Sequence, residues 1–197
     1  IKGRIDTVKS YVLLQDGQQQ PKTSLTFEGE YEALLDSADD HFEFADFDEH
    51  TRATTFYTTG TTGLTKEVYF SHRQLVLHTL GVLAALGTPE SQGRFHQQDV
   101  YMPITPMFHV HAWGLPYVAT SLGVKQVYPG KYAPDMLLKL LAKEKVTFSH
   151  CVPTILHLLM NHPLYQETDL SNWKVIIGGA ALPQAMCQAG LEKGIDI

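Results

Sequence analysis

Residues 146–191 read VTFSHCVPTILHLLMNHPLYQETDLSNWKVIIGGAALPQAMCQAGL, and this stretch decides the fold class. It holds two apolar, β-prone runs, Val146–Ser149 and Lys174–Ile177, and each precedes an apolar segment that begins at a proline. A proline suits the first turn of a helix, because the N–H that it lacks has no partner there. The stretch therefore predicts a strand, a helix over Pro153–Asn161, a second strand and a helix over Pro183–Leu191.

The same alternation extends towards the N-terminus. We expect strands at Val100–Met102 and Val124–Val127, and helices over Ala112–Leu122 and Pro134–Lys143. Strands that alternate with helices at a spacing of ~20–25 residues imply right-handed crossovers and a mostly parallel sheet covered by helices. The predicted fold class is α/β, with an α/β/α layered arrangement.

Two further β-prone runs, Ala53–Tyr57 and Val68–Phe70, flank a loop of threonine and glycine. Ser71 is expected to cap the next helix, with Gln74 at its third position, and that helix should end near Gly87. Before them, residues 1–52 form an N-terminal part, and residues 53–197 form the α/β part.

The N-terminal part combines a strand, a short helix and an acidic segment. The strand is expected around residues 8–14, and the helix over Glu30–Leu35. Residues 28–50 carry many carboxylates and neither lysine nor arginine, but the spacing of a calcium-binding loop is missing. We interpret this segment as a solvated connection.

Composition excludes several classes of protein. The chain has 197 residues, 44% hydrophobic and 18% charged, which is a globular balance. A net charge of −6 argues against nucleic-acid binding, and no apolar run has the ~20 residues of a membrane span. The N-terminus does not resemble a signal peptide, and two cysteines, Cys151 and Cys187, suggest no disulfide framework. A cytoplasmic location is expected.

The densest chemical signal is the segment YTTGTTGLTK, residues 57–66. Phosphate oxygens are bound by backbone N–H groups, hydroxyls and a cation, and glycine lets a backbone approach closely. The spacing differs from that of a P-loop, which has a lysine directly after its second glycine. A phosphate clamp carried by a hairpin fits this segment, and a threonine-rich turn facing water remains the alternative.

Residues 53–72 closely resemble the signature of the adenylate-forming (AMP-binding) superfamily. Its members include acyl-CoA synthetases, firefly luciferase and the adenylation domains of peptide synthetases. Thr65 stands where the signature has proline, and Glu67 where it has glycine. Glu67 places a negative charge beside the phosphate loop, which predicts weaker or altered binding of ATP.

Two further segments are similar to motifs of the same superfamily. Residues 106–114 resemble its aromatic segment with a Phe-His pair, and residues 174–183 resemble its strand and Gly-Gly-Ala turn. Without the resemblance, His109 and His111 would form at most a weak metal site, and Trp113 would be a core residue. The resemblance runs over roughly residues 1–197, and the correct order and spacing of the three motifs make it specific. Together with residues 124–130 and 151–154 they are similar to the fatty acyl-CoA synthetase branch.

The resemblance implies an ATP-dependent, AMP-forming carboxylate–CoA ligase that uses ATP, Mg²⁺ and coenzyme A. It implies that His109 positions the substrate carboxylate and that Trp113 gates the acyl tunnel. The residues that it assigns to the β- and γ-phosphates are Thr58, Thr59, Gly60, Thr61, Thr62, Gly63 and Lys66. Those that it assigns to the adenine and acyl wall are Gly178, Gly179, Ala180 and Ala181. No metal ligand is expected within this chain.

Family members are much longer than this chain, so we interpret it as an excised piece that is inactive alone. Apolar segments around residues 110–117 and 152–159 favour a medium or long fatty acid, although a thioether or aryl acid fits as well. A homodimer is left open. A piece of a peptide-synthetase adenylation domain is disfavoured, since no acidic residue follows the Phe-His pair. A non-catalytic phosphate-binding module remains the alternative.

Overall fold

The computed structural model of the chain describes residues 7–15, 22–59, 63, 65–87, 94–130 and 132–197. The chain forms two compact units, Ile1–Asp46 and Phe47–Ile197. The predicted boundary between residues 52 and 53 stays a prediction.

In the first unit, two short strands pair in parallel, β1 (Val12–Leu13) and β2 (Gly29–Glu30). Helix α1 (Tyr31–Asp36) follows directly. The side chain of Glu30 caps this helix by accepting hydrogen bonds from the N–H groups of Glu32, at 2.9 Å, and Ala33, at 3.2 Å. The predicted short helix is thus confirmed, with its first residue serving as the cap.

The second unit contains the strands β3 (Arg52–Thr59), β4 (Thr65–Ser71), β5 (Val100–Pro103), β6 (Lys125–Gln126), β7 (Phe148–Cys151) and β8 (Lys174–Ile177). Its helical segments are α2 (His72–Gly87), α3 (Val110–Trp113), α4 (Leu115–Leu122), α5 (Pro134–Lys143), α6 (Pro153–Met160), α7 (Leu164–Glu167) and α8 (Gln184–Glu192). Strands β3 and β4 form an antiparallel hairpin. The other four form a parallel sheet in the order β6-β5-β7-β8.

Helices cover both faces of the parallel sheet. Successive residues of a strand point to opposite faces, so neighbours on β5 enter different cores. Tyr101 packs in a cluster with residues of α2 and α4, whereas Met102 packs in a cluster with residues of α5 to α8. The predicted α/β/α arrangement is confirmed.

Helix α5 has the bounds that the sequence predicts. Pro134 lies in its first turn, and Leu137, Leu138 and Leu141 form the buried stripe that faces the sheet. An acidic side chain in the first turn and Lys143 in the last turn complement the helix dipole.

The predicted bounds are wrong at two places that concern the site. The helix expected over Ala112–Leu122 begins only at Leu115, because residues 110–113 have left-handed backbone angles. Strands β3 and β4 also extend beyond their predicted ends, so that Thr58 and Lys66 lie in strands rather than in a loop. Threonine is β-branched and favours extended backbone, which explains the longer strands.

The start of α2 is stabilised by the predicted capping pair. The N–H of Gln74 donates to Ser71 Oγ at 3.3 Å, and the N–H of Ser71 donates to Gln74 Oε1 at 2.9 Å. We expect Ser71→Ala to lower the free energy of unfolding by about 1 kcal/mol, measured by urea denaturation. The control Ser121→Ala, at an exposed position of α4, should change it by less than about 0.5 kcal/mol. Equal losses in both variants would contradict a capping role.

Candidate active site

The three sequence motifs converge near the carboxyl edge of the parallel sheet. Strands β5, β7 and β8 end at Pro103, Cys151 and Ile177. The aromatic segment follows β5, and the Gly-Gly-Ala turn follows β8. In open α/β sheets, ligands bind outside the carboxyl ends of the strands. This edge is therefore the candidate active site.

The β3–β4 hairpin carries the phosphate-loop motif. Thr58 pairs with Lys66, and Phe56 pairs with Val68, in an antiparallel register. Residues two apart on a strand share a face, so Thr58 and Lys66 lie on the same face as Phe56 and Phe70. Lys66 is exposed and Thr58 is half-buried. A hydroxyl and an ammonium group are thereby placed side by side at the end of the hairpin.

That face of the hairpin packs against His111. Thr54 Oγ1 lies 3.1 Å from His111 Nε2, and the imidazole ring centroid lies 5.1 Å from that of Phe56 and 6.2 Å from that of Phe70. Burial lowers the pKa of His111 below its ordinary value, so the ring is neutral at pH 7. This contact joins the phosphate hairpin to the aromatic segment. From the sequence, His111 was considered only as part of a weak metal site. Nothing in the sequence indicated a role for Thr54.

The tip of the hairpin is described in part. Gly60, Thr61 and Thr62 lie outside the described residues, and Thr59 is the last residue of β3. Gly63 has a φ of 80°, a left-handed angle that glycine adopts without a steric penalty. The assignment of these residues to phosphate stays a prediction.

Glu67, the residue that departs from the family signature, has a partner. Its carboxylate lies 2.5 Å from the Arg52 guanidinium, which also lies 4.3 Å from the ring centroid of Tyr69. Because side chains alternate along β4, Glu67 and Lys66 point to opposite faces of the hairpin. The negative charge is thus paired and turned away from Lys66, which reduces the electrostatic penalty expected from the sequence.

A left-handed turn follows the Phe-His pair. Four consecutive residues have positive φ angles of 48° to 58°, Val110 to Trp113, and Gly114 continues the run at 72°. Each non-glycine residue in this conformation costs roughly 1–2 kcal/mol, so the turn persists only where its surroundings hold it. His111 is held by Thr54, and the backbone oxygen of Trp113 lies 3.0 Å from His78 Nε2. His109 lies just before this turn and is exposed.

Trp113 joins the aromatic segment to the Gly-Gly-Ala turn. A Cβ on Gly178 would come within 2.9 Å of the indole, so only glycine leaves room for it. The indole centroid also lies 5.0 Å from that of His150. Gly179 has a φ of 79°, and Ala180 and Ala181 are exposed. The indole of Trp113 thus packs against Gly178.

A cavity of about 260 Å³ lies between α2 and the left-handed turn. Its walls are mostly apolar and are formed by Phe70, Gln74, Leu75, His78, Val110, His111, Trp113 and Gly114. Apolar walls with a few polar groups are typical of small-molecule sites. Trp113 lines this cavity, and its indole also lies against His150.

No group of three or more His, Cys, Asp or Glu side chains is arranged to hold a metal ion among the residues that the structure describes. Within the same ranges, no helix is long and apolar enough to cross a membrane.

Comparisons with known proteins identify the family. The family described as "AMP-binding enzyme" matches residues 2–196. The chain is 37% identical, over its full length, to a long-chain-fatty-acid–CoA ligase of Thermus thermophilus, of which it covers 34%. It is also 37% identical to a 3-methylmercaptopropionyl-CoA ligase of Ruegeria lacuscaerulensis, again over its full length, and covers 36% of that protein.

Solved structures agree with this result. A long-chain-fatty-acid-CoA ligase of Archaeoglobus fulgidus matches with a TM-score of 0.68 and 26% identity, over 83% of this chain and 32% of that one. The N-terminal domain of FACL13 from Mycobacterium tuberculosis shares the fold, with a TM-score of 0.73 and 24% identity, over 90% of this chain and 44% of that one. The chain belongs to the AMP-binding enzyme family. It spans about a third of the length of the curated relatives that it matches.

Proposed function

We propose that this chain is the part of an AMP-forming carboxylate–CoA ligase that binds the phosphates of ATP and the substrate acid. One observation carries the proposal. The face of the hairpin that presents Thr58 and Lys66 packs on His111, two residues after His109. The phosphate motif and the carboxylate motif are thus parts of one packed structure. The parent enzyme would first form an acyl-adenylate and pyrophosphate, and then transfer the acyl group to the thiol of CoA.

The hairpin supplies the groups that a polyphosphate needs. The Lys66 ammonium is exposed and can neutralise charge, and the Thr58 hydroxyl on the same face can donate a hydrogen bond. The N–H groups of residues 59–63 would complete the clamp. Holding the phosphates in line with the attacking carboxylate contributes more to such a reaction than a protein nucleophile would.

The acid would bind between His109, Trp113 and the Gly-Gly-Ala turn. His109 is exposed directly before the left-handed turn, where it can meet a carboxylate. The apolar cavity beyond the left-handed turn would take the chain of a fatty acid, with Trp113 as its gate. Gly178, Gly179, Ala180 and Ala181 would form the wall against the adenine and acyl groups, because small side chains leave room for flat ligands.

The parent would also use Mg²⁺ and coenzyme A. The described residues do not provide a carboxylate cage for Mg²⁺, so we assign no metal ligand and no metal-dependent step to this chain. The cytoplasmic location and the homodimer stay predictions from the sequence.

The test is binding of Mg·ATP to the chain, measured by calorimetry. Lys66→Ala should weaken binding about 10-fold or more, because a hydrogen bond to a charged group contributes about 1.5–3 kcal/mol. Lys139→Ala is the matched control. Lys139 is an exposed lysine that pairs with Asp135 on α5, and its loss should leave the affinity unchanged.

Equal affinities of wild type and Lys66→Ala would refute the clamp. If neither protein binds Mg·ATP, the nucleotide part of the proposal fails as well.

A further inference from the structure

His150, on β7, is a buried histidine with one unused nitrogen. Its side chain is fully buried, and Nε2 lies 2.8 Å from the Tyr101 hydroxyl. No described residue makes a hydrogen bond with Nδ1. A buried polar atom without a partner costs about 1–3 kcal/mol, so native proteins seldom keep one without a reason. Burial lowers the pKa of His150 to about 3, so the ring is neutral and offers one donor and one acceptor.

The position of His150 distinguishes it from other residues whose buried polar atoms lack a partner. Ser149 Oγ on the same strand also lacks one, but Ser149 points to the opposite face of the sheet. His150 shares its face with Tyr101 and lies against Trp113, with ring centroids 5.0 Å apart. Trp113 in turn lines the 260 Å³ cavity. Trp113 therefore connects the lining of the cavity to His150.

If the indole moved away, the cavity would extend to His150. The space that it leaves would adjoin Gly178, which presents no side chain, and the imidazole of His150. The extended cavity would then gain, at His150, a buried polar atom without a partner among mostly apolar walls. A plain alkyl chain would leave this group unpaired, whereas a chain with a matching polar atom would satisfy it.

We propose that His150 selects, through Nδ1, a carboxylic acid that carries a hydroxyl group in its chain. A hydroxyl both donates and accepts, so it pairs with Nδ1 in either neutral tautomer of the imidazole. This inference rests on the proposed function, because it assumes that the cavity beside Trp113 receives the acid. Within that function it names the substrate class and makes His150 a residue that determines specificity.

The test is a titration of the full chain, labelled with ¹⁵N in histidine, with hexanoate and with hexanoates hydroxylated at successive carbons. We expect one hydroxy acid to shift the Nδ1 resonance of His150 and to bind about 5-fold more tightly than hexanoate, as one added hydrogen bond predicts. Hexanoate cannot form this hydrogen bond, so it should shift that resonance only through the displaced indole, and by less than the hydroxy acid. These spectra use the wild-type protein and do not depend on the folding of a variant.

Two variants complete the test. His150→Phe keeps a flat ring but removes Nδ1, so it should bind hexanoate and the hydroxy acid equally. Tyr101→Phe removes only the partner of Nε2 and should keep the preference. If acids bind but neither the preference nor the Nδ1 shift appears, the inference is overturned while the proposed acid site stands. If no acid binds, the proposed site itself fails, and this inference fails with it.

Discussion

Replacing Lys174 by methionine is expected to lower the free energy of unfolding by about 3–5 kcal/mol, the usual cost of leaving a buried charge without its partner. Lys174 Nζ lies 2.7 Å from Asp99 Oδ1 and donates to the backbone oxygen of Arg94 at 2.6 Å. The side chain of Asp99 is only 3% exposed and that of Lys174 is 16% exposed. Methionine is one atom shorter and keeps the apolar stem, but it leaves the carboxylate buried without its counter-ion.

The pair also ties together three strands at the amino edge of the sheet. Lys174 is the first residue of β8, Asp99 precedes β5, and Thr147 precedes β7. Thr147 Oγ1 donates to Asp99 Oδ1 at 2.7 Å and accepts from the N–H of Val100 at 3.0 Å. Loss of the ammonium group should therefore also weaken the contacts between neighbouring strands, in addition to the electrostatic cost of the unpaired carboxylate.

Urea denaturation of three variants measures this effect. Lys139→Met breaks an exposed pair with Asp135 on α5 and should cost less than about 1 kcal/mol. The double variant Asp99→Asn/Lys174→Met removes both charges and should be more stable than Lys174→Met alone. A loss as small as that of Lys139→Met would mean that the pair at the sheet edge contributes little.

The second large effect is expected at the end of the left-handed turn. Gly114→Ala should destabilise the chain by about 2–4 kcal/mol, the sum of a left-handed residue with a Cβ and of overpacking. Gly114 has a φ of 72°, and a Cβ there would lie 2.5 Å from the ring of His78. That ring contacts the backbone oxygen of Trp113, so the substitution should also displace the turn that carries the candidate gate.

Gly81→Ala is the matched control for this prediction. Gly81 lies within α2, and a Cβ there would meet nothing within 4 Å. Alanine should therefore stabilise the helix by about 0.5–1 kcal/mol. Thermal unfolding together with tryptophan fluorescence separates the two variants, since only Gly114→Ala should change the environment of the indole. A Gly114→Ala variant at least as stable as the wild type would contradict the strain assigned to this turn.

The fold was predictable because its parallel strands and helices have strong local signals. The bounds of β8 and α5 agree with the apolar run Lys174–Ile177 and with the leucine pattern after Pro134. The left-handed turn was not predictable. Glycine and asparagine are the residues that signal this conformation, and Val110 to Trp113 contain neither. The short helix α7 was also missed.

The sequence predicts the site as a set of motifs but not as a set of contacts. It singles out Lys66, Trp113 and Gly178 as site residues, whereas the contact between the last two follows from the fold. It could not indicate that Arg52 pairs with Glu67, because the two side chains meet only when the hairpin is closed in one register. Nor could the sequence indicate that Nδ1 of His150 lacks a partner among the described residues, since hydrogen-bond partners depend on packing.

The strand order bears on how the chain can fold while it is synthesised. Of the four described parallel strands, β5 emerges first, and β6 adds to one of its edges. β7 then adds to the other edge of β5, and β8 adds to the outer edge of β7. None of these four strands has to insert between two that are already paired. The sheet can therefore grow outward from β5 as the ribosome delivers it, and each new strand needs only the edge left open by an earlier one.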